Sequence, residues 1–96
     1  MTVVIKKQMG ITHSEFLRLL PRALDSEAFE VAGSRIRYDI AGTKNLEIDL
    51  GPESVRQIAL MQMPTMPVTL TFSGFSYAER EDLMQRFERA YQRGGG

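Results

Sequence analysis

Few residues in this chain could do chemistry. His13 is the single histidine among 96 residues, and there is no cysteine. Thiolate catalysis, disulfides and cysteine-ligated metals are therefore excluded. As a general base His13 would need a carboxylate or a nucleophile in reach. It falls in the first turn of a predicted helix, on the side of Phe16 and Leu20, while Glu15 points elsewhere. The expectation is a structural histidine, and no catalytic residue is assigned. Phosphate loop, dinucleotide fingerprint, nucleophile elbow and zinc spacing are all missing, so no cofactor and no metal are expected.

Three constellations remain. Glu30, Arg35, Arg37, Asp39, Glu47 and Asp49 alternate with apolar residues and gather on the outer face of a predicted sheet. Paired carboxylates there could bind a hard cation or run acid–base chemistry. Arginines among them would compete with a cation, and the plain reading is a solvated face with cross-strand ion pairs. Arg86, Arg89 and Arg93 near the chain end could meet nucleic acid, but recognition motifs and interleaved aromatics are absent. Ile58, Leu60, Met61, Met63 and Met66 form the third group, around Pro64 and Pro67. Methionine is adaptable and serves promiscuous binding surfaces as well as cores. If residues 55–63 form a strand, only one of its two apolar faces can meet helices, which leaves apolar surface over as a candidate interface.

The elements that must position these groups follow from periodicity. Thr2–Lys6 is β-branched and reads as a strand ended by Gly10. Thr12 with Glu15 makes a capping box, and Ile11 with Phe16 a hydrophobic staple, so a helix is predicted over 13–24. Pro21 either kinks that helix or ends it at Leu20. Phe29 and Val31, then Ile36, Tyr38 and Ile40, alternate around a Gly33-Ser34 hairpin loop. That register sets Val31 opposite Ile36 and Glu30 opposite Arg37. Leu46, Ile48 and Leu50 continue the pattern, bringing Glu47 and Asp49 near Arg35 and Arg37. Residues 55–63 read as a strand rather than a helix, with a turn at Pro64–Pro67. Val68, Leu70 and Phe72 form the last strand. Ser76 with Glu79 caps a final helix over 76–93, with acids first and arginines last, as the helix dipole favours. The predicted architecture is α+β, a two-layer sandwich. An antiparallel meander of about five to six strands carries both helices on one face.

Residues 1–93 are expected to form one domain, with 94–96 as a disordered glycine tail. Lysine plus arginine equal aspartate plus glutamate at twelve each, so no overall field draws in nucleic acid. No apolar run approaches the roughly 20 residues that span a bilayer. A cytoplasmic location without membrane association is expected. The order of elements resembles the frataxin architecture, with helices at both ends of an antiparallel sheet. That family holds iron on an acid-rich first helix. Here that helix has only Glu15, beside Arg18 and Arg22, so the function is not carried over and no family is assigned. The leading expectation is a non-catalytic protein-binding or accessory module, acting on a protein partner or on itself as a homo-oligomer. A carboxylate-based metal protein or enzyme is the alternative, and nucleic-acid binding through the last helix is third.

Overall fold

The computed structural model describes residues 2–94. Six strands and two helices follow in the order β1 (Thr2–Met9), α1 (His13–Leu24), β2 (Glu30–Ala32), β3 (Arg35–Ile40), β4 (Lys44–Leu50), β5 (Ser54–Ile58), β6 (Met61–Ser73) and α2 (Tyr77–Gly94). The sheet runs β1-β6-β4-β3-β2, all antiparallel, with β5 paired to the first half of β6. This is the expected α+β sandwich. Both helices lie on one face, over Ile36, Leu46, Ile48, Leu50, Met66, Val68, Leu70 and Phe72, all of them buried.

The local signals explain the helices. Glu15 N–H donates to Thr12 Oγ1 at 3.2 Å, which is half of the predicted capping box. The Glu15 carboxylate turns instead to Arg18. Ile11 and Phe16, the staple, are both buried. Pro21 lies inside α1, which continues to Leu24 rather than ending at Leu20. The helix closes with Asp25 in the left-handed region, Asp25 N–H on Arg22 O and Ser26 N–H on Pro21 O, a Schellman turn. In α2 the capping box is complete: Glu79 N–H reaches Ser76 Oγ at 3.1 Å and Ser76 N–H reaches Glu79 Oε1 at 2.8 Å. Phe16 stacks on Tyr91 and leans on Phe87, joining the helices. The Tyr91 hydroxyl donates to Phe16 O at 2.8 Å inside that contact. Gly94 belongs to α2, so the helix takes the first residue of the expected tail; Gly95 and Gly96 lie outside the described residues.

The hairpin at Gly33-Ser34 has the predicted register, Glu30 opposite Arg37 and Val31 opposite Ile36. Val31 is nevertheless exposed, because β2 is a three-residue edge strand. Residues 55–63 depart from the expectation. The chain does not run straight to a turn at Pro64–Pro67. It folds back at Ala59-Leu60, and both prolines sit within β6. Two-residue closure wins because Ile58 pairs with Met61 and the apolar residues need not pass under a helix.

Each proline fits for a specific reason. Gly51 N–H donates to Pro67 O at 2.8 Å, so the backbone groups of Pro67 face β4. Antiparallel alternation then turns those of Pro64 to the opposite edge of β6, where no strand pairs. Pro64 therefore costs no ladder bond, as expected for proline on an open edge. The N–H that Pro67 lacks would have met the Gly51 carbonyl.

Candidate functional site

His13 takes that vacant acceptor. Its Nε2 lies 2.7 Å from Gly51 O, and its own backbone N–H donates to Glu53 Oε2 at 2.7 Å. A carbonyl accepts only, so Nε2 carries the proton. The histidine thus clamps the start of α1 to the β4–β5 junction. Gly51 is required there, since a Cβ would stand 2.3 Å from Pro67 Cγ.

The outer sheet face assembles as expected. Across neighbouring strands one row reads Glu30, Arg37, Glu47, Thr71 and Val4, and the next Ala32, Arg35, Asp49, Thr69 and Lys6. Cations and anions alternate along each row. Arg35 Nε meets Asp49 Oδ1 at 2.9 Å, and Arg37 Nε lies 3.8 Å from Asp39 Oδ2. Asp39 also accepts from Asn45 Nδ2. The Asp49 contact pushes the Arg35 pKa up, chiefly through the hydrogen bond. Among the described residues no three histidine or carboxylate groups gather as a metal would need. The arrangement neutralises itself across exposed pairs that water screens.

The methionine group is split by the structure. Met66 is fully buried in the core, paired across from Met9. Its place in the predicted interface is corrected: strand alternation puts it on the helix-facing side with Val68 and Leu70. Ile58, Leu60, Met61 and Met63 belong to a ribbon instead. β1 stops opposite Met66, and β4 stops opposite Val68, so residues 61–65 of β6 have only β5 beside them. The two-stranded ribbon runs beyond the sheet and past the helices, and the molecule measures 47 × 26 × 22 Å. Pairing sets Ile58 across from Met61 and Arg56 across from Met63, and alternation places all four on the side of the outer sheet face.

Exposure at the ribbon is high: Val55 66%, Ile58 49%, Leu60 98% and Met61 66%. Neither apolar face of 55–63 meets a helix, which sequence reasoning did not anticipate. It missed Val55, exposed on the opposite face of the ribbon across from Pro64. Ala59 at the apex has φ +54°, in the left-handed region where side chains are disfavoured. In the comparable two-residue loop Gly33 holds the equivalent position at φ +63°. Arg56 is the only charged residue between Glu53 and Glu79. Pro64 leaves the free edge of β6 without a full set of donors, a feature that discourages edge-to-edge pairing.

The remaining basic residues sit on the helical layer. Lys7, on the helix-facing side of β1, pairs with Glu88 at 2.5 Å, and Lys44 with Glu79 at 2.5 Å. Arg80 stacks over Tyr77 with its guanidinium carbon 5.2 Å from the ring centroid. Arg86 Nη1 donates to Leu24 O at 3.2 Å, and Arg89 is exposed. The side chain of Arg93 lies outside the described residues. No described helix is long and apolar enough to cross a membrane.

The fold and these surfaces define a two-layer α+β sandwich with a projecting apolar ribbon. No protein-family model, curated protein or solved structure matches the chain.

Proposed function

We propose that the protein is a non-catalytic binding module that engages a protein partner through the β5–β6 ribbon. The observation that carries this is the apolar apex, Ile58, Leu60 and Met61, held in water beyond the sheet. Burying what these three expose offers roughly 3–6 kcal/mol gross. Association costs about 4–15 kcal/mol in lost freedom, so the ribbon alone supports an exchangeable contact, with the partner supplying the remainder. Strain held at Ala59, where glycine would be relaxed, is a second sign of a site kept for use rather than for stability.

The partner chemistry follows from the ribbon's charge. Arg56 stands among Ile58, Met61 and Met63 with no acid on the ribbon. An apolar pocket rimmed by carboxylate suits it. A second ribbon does not, because two copies would bring Arg56 against Arg56 without a counter-charge. Pro64 also opposes pairing through the β6 edge. The homo-oligomer expected as an option is therefore the weaker version, and the cytoplasm, expected because no apolar run is long enough to span a bilayer, is part of the same proposal.

A photo-crosslinking residue at Leu60 tests the reading in native cells. One discrete crosslinked product is expected, abolished by Met61→Lys and weakened by Arg56→Glu, with both variants folded. Sedimentation of the purified chain should show a monomer. A crosslink that survives both substitutions, or no crosslink at all, overturns the proposal.

A further inference from the structure

A second surface has a different chemistry. Arg22, in the last turn of α1, and Arg86 and Arg89, three apart on α2, line one depression of about 260 Å³ together with Ala90. Five basic side chains elsewhere find carboxylates: Lys7 with Glu88, Arg18 with Glu15, Arg35 with Asp49, Arg37 with Asp39, Lys44 with Glu79, while Lys6, Arg56 and Arg80 stand singly. Among the described residues the three that converge here have no ion pair. Like charges sharing one depression repel. An anion placed between them reverses the sign.

Helix capping does not account for the trio. The Schellman turn at Asp25 and Ser26 already occupies the carbonyls of Pro21 and Arg22. Only Leu24 O takes a side chain, from Arg86 Nη1. That bond fixes the Arg86 guanidinium in place and leaves its other N–H groups to donate. Arg22 and Arg89 reach the same space from opposite helices with no protein acceptor assigned to them.

We infer that Arg22, Arg86 and Arg89 form a site for a small phosphate-bearing ligand. Guanidinium forks match phosphate oxygens and bind them bidentately. The volume falls below the usual 300–1,000 Å³ of sites that enclose a whole organic ligand. It suits a phosphate or diphosphate group, with the rest of its carrier outside. The site lies on the helical layer and does not depend on the ribbon.

The test uses the full chain, inorganic pyrophosphate as probe and sodium chloride at matched ionic strength as control. Pyrophosphate should raise the melting temperature where chloride does not, and should shift the amide resonances of residues 22–25 and 86–90. Arg22→Gln and Arg89→Gln, both at exposed positions, should each weaken pyrophosphate binding about tenfold, the worth of a charge-assisted hydrogen bond. Arg18→Gln, at a residue paired with Glu15, should leave it unchanged. Equal shifts with chloride, or full binding by Arg89→Gln, overturn the site. A single-stranded oligonucleotide that binds more tightly than pyrophosphate and loses affinity in the same two variants replaces the small ligand with nucleic acid, which also overturns it.

Discussion

Met61 and Met66 stand five residues apart on one strand, and the ribbon predicts that they respond to substitution in opposite ways. Met66 is fully buried between the sheet and the helices. Truncation to alanine removes most of a core side chain and leaves a cavity, at about 2–5 kcal/mol. For a domain of this size each kcal/mol moves the melting temperature by about 4–8 °C. Met66→Ala should therefore melt at least about 8 °C lower than the wild type. Met61 is 66% exposed and beyond the reach of either helix. Met61→Lys should change stability by no more than about 0.5 kcal/mol. Urea unfolding followed by circular dichroism measures both, with the m-value unchanged if the native surface is preserved. The pair also tests register. Slipping β6 by one residue would send Met66 to the outer face and reverse the whole helix-facing set. A cost below about 0.5 kcal/mol for Met66→Ala, or above about 1 kcal/mol for Met61→Lys, refutes the overhanging ribbon.

Two further predictions concern local devices. Ala59→Gly should relieve about 1–2 kcal/mol of left-handed strain. About 0.4–1 kcal/mol is lost to a looser unfolded chain. The net effect is slower amide exchange at the ribbon, and faster exchange would contradict the assigned turn. Glu79 is held down to about 2, first by its hydrogen bond from Lys44 and then by the Ser76 backbone. A lowered carboxylate pKa contributes stability above the unfolded value near 4.5, and this is lost as pH falls from there toward about 2. In Glu79→Gln the melting temperature should fall less steeply over that acid range than in wild type; parallel curves would show that Lys44 and Ser76 do not hold the carboxylate in solution.

Most of the sandwich was legible because its signals are local or strictly periodic. Thr12 and Ser76 announce helix starts within four residues. The alternation of Ile36, Tyr38 and Ile40 against Arg35, Arg37 and Asp39 fixes a face wherever one side is buried. Gly33 marks its turn because a positive φ there suits glycine. The turn at Ala59-Leu60 carried no such mark: its first residue is an alanine held at φ +54°, against the usual preference. Pro64 and Pro67 supplied a stronger turn signal in the wrong place. Whether a proline breaks a strand depends on which edge its nitrogen faces, and that is a property of the neighbours. The trio of Arg22, Arg86 and Arg89 was invisible for a related reason, since Arg22 is more than sixty residues from its companions and only helix packing brings them together.

The same dependence on neighbours links His13 to the ribbon. Pro67 withholds a donor from Gly51 O, and His13 Nε2 supplies it from the start of α1 at 2.7 Å. Gly51 must lack a side chain so that the Pro67 ring can lie against it. Pro52 and Glu53 follow at once, and Glu53 holds the His13 backbone N–H. One junction thus anchors the first helix and marks where β4 ends and the ribbon begins. If a partner grasps Leu60 as proposed, it pulls on a lever seated at this clamp, and His13 is the side chain that holds the ribbon's base.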